Sequence, residues 1–385
     1  MFSLRQYLLS LGNSFGLTRT LGEVELCRDA EGRVLFSSGN SAIVFRIRHE
    51  GKIKALRCYR HPTAHLREVY GERLLREELF LYDTPRSGRW VDVVVTDWIE
   101  GETLRHHIEE AAQAGDATHF RRLAEAFDRL AARLIADDWA HGDLKPDNLL
   151  VDADGNLHPI DFDGAFYPAM RGQQSTELGT TAFQHPRRTT ADFDERLDDF
   201  SIALLSTALH ALALNPALYR QYGERDGLLF EVQHLASDSA WQEVVEGFAL
   251  AGDALRYRIA RAMLHPLVQN PDLIALMALT QADKNEPTTL TEDHIPELEA
   301  DLLHWGYRAG GKWIIPPLYD EGFEFSEGLA LVRLGTHWHA IDPAGRCRLH
   351  LPPCDYIKPF RNGQATLYRD GKCFTVGLDG QVLDI

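Results

Sequence analysis

AHGDLKPDNLLVDADGNLHPIDFDGAF, residues 140–166, crowds aspartate, asparagine, histidine and lysine around two short apolar runs. The runs, Leu149-Leu150-Val151 and Leu157 to Ile160, flank the turn residues Asp152 to Asn156, a pattern that predicts a β-hairpin. Phosphoryl transfer needs a carboxylate to orient the attacking hydroxyl, metal ions on the phosphates, and a cation near the developing charge. Asp143 is placed to be that hydroxyl-orienting base, Lys145 the nearby cation, and Asn148 a metal ligand. Asp161, thirteen residues past Asn148, supplies a carboxylate for the same Mg²⁺. A hairpin brings its arms together, so the spacing sets Asn148 and Asp161 side by side, with the apolar strands as rigid anchors.

Outward from this stretch, the bulk numbers set bounds. At 385 residues the chain is long enough for two or three domains, each with its own core. Hydrophobic content of 44% and charged content of 25% are ordinary for a soluble globular protein. The formal net charge of −17 argues against nucleic-acid or anionic-membrane partners, which attract clustered Lys and Arg. Cys27, Cys58, Cys347, Cys354 and Cys373 are odd in number and lack CxxC spacing, as reduced thiols do, and indicate neither a disulfide frame nor a zinc site. The N-terminal apolar run is broken by Arg5 and Gln6, and the most apolar segment, Ser201 to Leu214, is too short to span a bilayer. These features predict a soluble cytoplasmic protein.

Residues 33–59 alternate RVLF, AIVFRIR and IKALRCY with the turn signals SSGNS and HEGK, and predict three consecutive antiparallel strands. Residues 64–78 have helix-forming composition, with Leu66, Val69, Tyr70 and Leu74 on one stripe. LFLYDTP and WVDVVVTDWI predict two more strands around the turn SGR. Between Ala117 and Ala136, Phe120, Leu123, Phe127, Leu130 and Leu134 recur at helical spacing. Residues 198–280 read as mostly helical, and 281–296, polar and acidic with prolines, as a linker. Beyond it an internal repeat appears: Phe325 and Phe360, Gly328 and Gly363, Ala330 and Ala365, and Asp320 and Asp355 are each 35 residues apart, and Gly310, Gly345 and Gly380 share that step. A repeat of this period predicts stacked small β units that bury faces against one another.

On these residues the chain resembles the protein-kinase superfamily from about residue 33 to about 280. HGDLKPDN is similar to the catalytic loop HRDLKPEN and IDFDG to the metal-binding DFG. GTTAFQHP resembles the end of an activation segment, and DDFSIALL the start of the buried helix after it, with Asp198 as anchoring acid. The resemblance implies an α+β chain with a bilobal protein-kinase-like fold: an N-terminal segment (1–32), an N-lobe (33–99) and a helical C-lobe (100–280). It also implies ATP and Mg²⁺ as cofactors. In SSGNSAIVF the Gly-rich pattern keeps one glycine, Gly39, between the small residues Ser37 and Ala42. Val44 falls where the family caps the adenine and Ala55 on the first Ala of VAIK, while Arg57 takes the lysine position. Arg is longer and planar and does not replace Lys isosterically. Lys54 and Lys52 are the alternatives, but strand alternation turns Lys54 to the opposite face. Glu68, with Glu72 second, takes the place of the helix glutamate. VVVTDWIEGETL is similar to the fifth strand and hinge: Thr96 is the gatekeeper, the backbone of Asp97 and Ile99 meets the adenine edge, and Leu150 closes the pocket below.

Gly142 replaces the Arg of HRD, which makes this a non-RD type without the cation for an activation-loop phosphate. Arg187 stands where the family has the Glu of APE, and His141 matches a structural histidine. After the linker, residues 297–385 resemble WG repeats, small β units of bacterial proteins. EFSEGLALVRLGTHWHAIDPAGR is the fullest copy, PFRNGQATLYRDGKCFTVGLDGQ a second and WGYRAGGKWIIPPLYD a partial first. Trp305, Trp313 and Trp338 are either core or a partner-binding surface, with core favoured. The resemblance implies a bacterial, ATP- and Mg²⁺-dependent kinase acting on a hydroxyl, foremost protein Ser or Thr. A pseudokinase scaffold recruiting protein partners through the repeats is the first alternative. A small-molecule kinase is the second, and Lys145-Pro146 and GTTAFQHP speak against it. No nucleic-acid or membrane partner is implied.

Overall fold

The structure, a computed structural model, describes residues 2–39, 41–84, 86–280 and 295–384. It shows a strand-rich N-terminal region, a helical middle and an all-β C-terminal region. Two compact units are formed. The first comprises Met1–Arg105, Asp137–Gly179 and Thr189–Asp198; the second comprises His106–Ala136, Thr180–Arg188 and Asp199–Ile385. Residues 281–294 of the expected linker lie outside the described residues.

In the first unit, α1 (Leu4–Gly12) starts at Ser3, where the Ser3 hydroxyl accepts from the Gln6 N–H and the Gln6 side chain accepts from the Ser3 N–H. The main sheet joins β1 (Glu25–Leu26), β2 (Phe36–Ser38), β3 (Ala42–His49), β4 (Lys52–Tyr59), β5 (Leu74–Thr84) and β6 (Ser87–Asp97). Its order is β1-β3-β4-β6-β5, with β2 on β3, all antiparallel. Strand alternation buries Ile43, Phe45, Ile47, Leu56 and Cys58 with Tyr7 and Leu11 of α1 and Leu79, Leu81 and Val93. The other face of β3 and β4 carries Val44 and, paired to it in register, Arg57.

The helix expected over 64–78 is confined to α2 (Leu66–Tyr70). Leu66, Val69 and Tyr70 are buried as the stripe requires, but Gly71 turns out of the helix at φ +54° and Leu74 opens β5. Pairing of these leucine and aromatic positions with the valine-rich β6 outweighs a helix-forming composition. The hairpin read at 149–160 is present: β7 (Glu102–Thr103), β8 (Leu149–Val151) and β9 (Leu157–Pro159) form a small antiparallel sheet.

The second unit is helical, then all β. Helix α3 (Leu104–Ala114) leads into α4 (Ala117–Ala136), whose five-residue apolar stripe is buried throughout. Then come α5 (Asp199–Leu214), α6 (Ala217–Tyr222), α7 (Ser239–Leu250), α8 (Ala254–Ala262) and α9 (Pro271–Leu279). Among buried α4, α5 and α8, the Arg256 guanidinium donates to Ser206 Oγ at 2.7 Å and to Asp128 Oδ2 at 2.5 Å. Ser206 Oγ donates to Asp128 Oδ1 at 2.8 Å, and His210 Nε2 lies 2.9 Å from Asp128 Oδ2.

Three meander sheets follow: β10 (Glu297–Ala300), β11 (Trp305–Ala309) and β12 (Lys312–Tyr319); then β13 (Glu321–Gly322), β14 (Ala330–Leu334), β15 (His337–Ile341) and β16 (Cys347–His350); then β17 (Tyr356–Arg361), β18 (Gln364–Arg369), β19 (Lys372–Gly377) and β20 (Val382–Asp384). The 35-residue step has a local cause. Gly310, Gly345 and Gly380 take φ of +58°, +77° and +80° in turns between strands, a region glycine occupies without a Cβ penalty. Asp320 accepts from the Gly335 N–H at 2.7 Å, and Asp355, one step on, accepts from the Asp370 N–H at 2.9 Å. Asp320 also receives the Tyr257 hydroxyl and the Arg258 guanidinium of α8, both at 3.2 Å. Trp338 is buried in the repeat core, and Trp305 and Trp313 are half-buried. Among the described residues, no helix is long and apolar enough to cross a membrane.

Candidate active site

The loop between α4 and β8 lies in the first unit and is held from behind by Asp198. The buried Asp198 carboxylate accepts the N–H of His141 and, at 2.9 Å, the N–H of Gly142. His141 is buried, with Nε2 2.8 Å from the Ile160 carbonyl and Nδ1 3.3 Å from the Asp143 N–H. A carbonyl accepts and an amide donates, so Nε2 carries the proton and Nδ1 the lone pair. The imidazole thus ties the loop to the end of β9, a structural role.

Gly142 has a steric reason to be glycine. Its φ is +81°, and a Cβ there would lie 2.1 Å from the Gly164 carbonyl oxygen. No side chain fits, so the arginine that HRD would place here has no room.

From this anchored backbone Asp143 and Lys145 point together, Nζ to Oδ2 at 2.9 Å. Asn148 is buried and donates through Nδ2 to the Asp143 carbonyl at 2.9 Å and to Asp143 Oδ2 at 3.1 Å. Its amide oxygen is the acceptor left to offer. Ile160 N–H bonds the Asn148 carbonyl at 2.9 Å, which brings Asp161 to the end of the neighbouring strand.

Asp161 sits in the left-handed region at φ +67° and is joined by Arg57. The same guanidinium nitrogen bonds Asp163 Oδ2 at 2.7 Å. Asp163 is the hub of this cluster: Ser41 Oγ donates to Oδ2 at 3.0 Å, and the Tyr59 and Tyr70 hydroxyls each donate to Oδ1 at 3.2 Å. Burial lowers the pKa of Arg57, but its negative surroundings, in which Asp161 and Asp163 are the ionised groups, outweigh it and hold the pKa well above the usual arginine value. Burial, then anionic Asp163 among other charges, pushes the Tyr59 and Tyr70 hydroxyls up, so both stay protonated donors. Glu177 approaches from the segment after the motif, with Oε1 3.1 Å from where a Cβ on Gly164 would sit. Partial burial and then Asp163, Asp143 and Asp161 raise its carboxyl above the ordinary glutamate range.

Arg57 therefore has carboxylate partners other than those expected. Glu68 and Glu72 are exposed on the truncated α2 and the turn after it. Lys54 faces away, paired at 2.6 Å with Asp97, and Lys52 is exposed. Val44, Ala55, Thr96, Ile99 and Leu150 are each half-buried, whereas Ile43, Phe45, Leu56, Val93 and Leu149 beside them are fully buried. Val44, Arg57 and Val94 form one row across β3, β4 and β6, and Arg46, Ala55 and Thr96 the next, which gives the sheet a partly open apolar face beside the carboxylates. Gly39 lies in the turn between β2 and β3, where its N–H bonds the Ala42 carbonyl at 2.9 Å and its carbonyl accepts from Arg60.

Sequence reasoning missed Asp163, Tyr59, Tyr70, Ser41 and Glu177. A signal existed for two of them: Asp163 is spaced i+2 from Asp161, and Tyr59 is two residues from Arg57 on the same strand face.

Comparison with known proteins adds two findings. The family model of the WG containing repeat matches residues 309–337. Among curated proteins, the chain is 28% identical over 139 residues to CBL-interacting serine/threonine-protein kinase 15 of Arabidopsis thaliana, a match covering 35% of this chain and 29% of that one. It is 27% identical over 191 residues to CBL-interacting protein kinase 5 of Oryza sativa subsp. japonica, covering 46% and 38%. With serine/threonine-protein kinase chk1 of Schizosaccharomyces pombe it shares 24% over 205 residues, covering 49% and 40%. The chain spans about two fifths or less of the length of these relatives. The chain is thus similar to the WG containing repeat over residues 309–337 and, over part of its length, distantly similar to serine/threonine-protein kinases.

Proposed function

We propose that the chain is an ATP- and Mg²⁺-dependent kinase of bilobal, non-RD protein-kinase type that transfers the γ-phosphoryl group to a hydroxyl, foremost of protein Ser or Thr. The observation that carries this reading is the joined set Asp143, Lys145 and Asn148, fixed by Asp198 beside Asp161. Asp143 accepts the proton of the acceptor hydroxyl and orients it, and Lys145 sits against the transferred group. The donor set fits a hard divalent cation. Asp161 and the Asn148 amide oxygen would be oxygen ligands, and among the described residues the cluster sets four carboxylates (Asp143, Asp161, Asp163, Glu177) against the cations Arg57 and Lys145. When bound, Mg²⁺ supplies charge neutralisation on the phosphates.

Arg57 takes the place of the lysine. For it to face phosphate, its hold on Asp161 has to open, while Asp163 keeps the guanidinium in place. The half-buried Val44, Ala55, Thr96, Ile99 and Leu150 form the adenine face. The proposed lobes are 33–99 and 100–280, and the repeats of 297–385 recruit a protein substrate or partner in a bacterial cytoplasm.

One observation favours a second reading. In a pseudokinase scaffold, Arg57 would remain on Asp161 and substitute permanently for the metal. Radiolabel transfer from ATP to the chain itself or to a generic protein acceptor separates the two. The kinase reading expects Mg²⁺-dependent labelling that falls about 100- to 10,000-fold in Asp143→Asn with nucleotide affinity kept. Labelling equal in both proteins, or none in either, counts against it.

A further inference from the structure

The second unit gathers two histidines and a cysteine on one face of the β15–β16 hairpin. His339 stands directly opposite His350. Cys347 precedes His350 by three residues, an odd spacing that in a regular strand turns two side chains to opposite faces. Here the register slips between Ala340 and Ile341, so that one step along β15 meets two along β16. Such a bulge re-aims a side chain, and it brings Cys347 round to the histidines. His339 Nδ1 and His350 Nδ1 are 3.2 Å apart, and Cys347 Sγ lies 3.9 Å from the first and 3.8 Å from the second. Around a tetrahedral zinc ion, with Zn–N of about 2.0–2.1 Å and Zn–S of about 2.3 Å, ligand atoms stand about 3.3 Å (N to N) and about 3.6 Å (N to S) apart. The triangle already has nearly these dimensions.

The surroundings suit the same occupant. His339 is buried, and its Nε2 lies 2.8 Å from the Ala249 carbonyl at the end of α7. A carbonyl accepts, so Nε2 holds the proton and Nδ1 presents its lone pair to the triangle, the outer-shell arrangement of metal-binding histidines. Beside the sulfur stands Gly252, at φ +69°, where a Cβ would come within 3.1 Å of Cys347 Sγ and 3.4 Å of His339 Nδ1. Its missing side chain keeps that flank open. A hydrogen bond between the histidines explains their own separation but not a sulfur equidistant from both. The thiol is also 3.6 Å from the Leu349 carbonyl, a contact its proton leaves when a metal binds.

We propose that His339, Cys347 and His350 form a zinc site, with its fourth position open to solvent on the exposed His350 side. One thiolate and two imidazoles select a borderline ion such as Zn²⁺ over Mg²⁺ or Ca²⁺. The ion would fasten the hairpin, through His339, to the end of α7.

The test is titration of the chelator-stripped full chain with Co²⁺. The expected result is one cobalt per chain with the intense visible bands of a tetrahedral ion and a near-ultraviolet thiolate band, both displaced by Zn²⁺. Cys347→Ser should abolish the thiolate band and weaken Zn²⁺ by at least about 100-fold. His350→Ala, at an exposed side chain, should weaken Zn²⁺ similarly with folding intact, and it decides the matter if Cys347→Ser does not fold. Cys373→Ser should change nothing. Absence of cobalt binding, a weak octahedral spectrum without the sulfur band, or a sulfur band that survives Cys347→Ser would overturn the proposal.

Discussion

Arg57 joins two carboxylates of the site, Asp161 and Asp163. Its position opposite Val44 on the open face of β4 was legible from alternation, because a strand turns every second side chain the same way. Its partners were not, since Asp161 and Asp163 lie 104 and 106 residues further along the chain. Replacing it separates the two readings of the site. In Arg57→Lys, a compact ammonium on a shorter reach holds one carboxylate instead of two, so Asp161 is freed and Mg²⁺-dependent nucleotide affinity should rise. Arg57→Ala leaves the buried Asp163 without its cation and should destabilise the first unit by about 3–5 kcal/mol. Denaturant unfolding of the two variants, with nucleotide titration of the lysine variant, checks both. A melt of Arg57→Ala equal to wild type would show that the cluster is not held by this pair. Gly142 gives a simpler case. Because the Gly164 carbonyl occupies the place of its Cβ, Gly142→Ala should lose several kcal/mol, and Gly142→Arg should not accumulate as folded protein.

Among elements, long amphipathic patterns read well and short competing ones did not. The stripe from Phe120 to Leu134 is helix α4 because twenty residues of one period leave no rival. Residues 74–78 carry a helix former's composition but continue into a strand, and partner strand β6, invisible to local propensity, decided for β5. The cysteine spacing hid the triangle for a related reason: His339, Cys347 and His350 meet only through a hairpin and its bulge. Three helices share the buried Asp128, whose carboxyl burial raises but His210, Arg256 and Ser206 more than offset, so its pKa is lowered. A lowered folded-state pKa contributes stability that is complete above the ordinary carboxylate range and is lost as pH falls through the folded value. Stability of the wild type should therefore fall below about pH 4 with a component that Asp128→Asn lacks. Chemical denaturation at a series of pH values measures it, and parallel pH profiles for the two proteins would refute the role.

On the scale of the whole chain, the 35-residue step announced the repeats, and the glycine turns and Asp320–Asp355 equivalence give it a physical basis. What it did not announce is that Asp320 serves twice, capping its own hairpin and meeting Arg258 of α8, whose side chain is only 9% exposed. A chain ending at Pro296 would lose that carboxylate and uncover the side of α8 that packs against β12, so it should melt lower than the full chain and bind apolar dyes. Asp320→Asn should reproduce part of the loss, about 1.5–3 kcal/mol. Equal melting of the full and shortened chains would show that the repeats are independent of the helices.

If the loop from Asp143 to Asp161 is a working phosphotransfer site, calorimetric titration with a non-hydrolysable ATP analogue will register it. Wild type and Asp143→Asn should bind it in Mg²⁺ with similar affinity, while Asp161→Asn, stripped of the metal carboxylate, should lose the Mg²⁺-dependent part. Binding curves that do not distinguish Asp161→Asn from wild type, or no Mg²⁺-dependent binding by wild type, would contradict it.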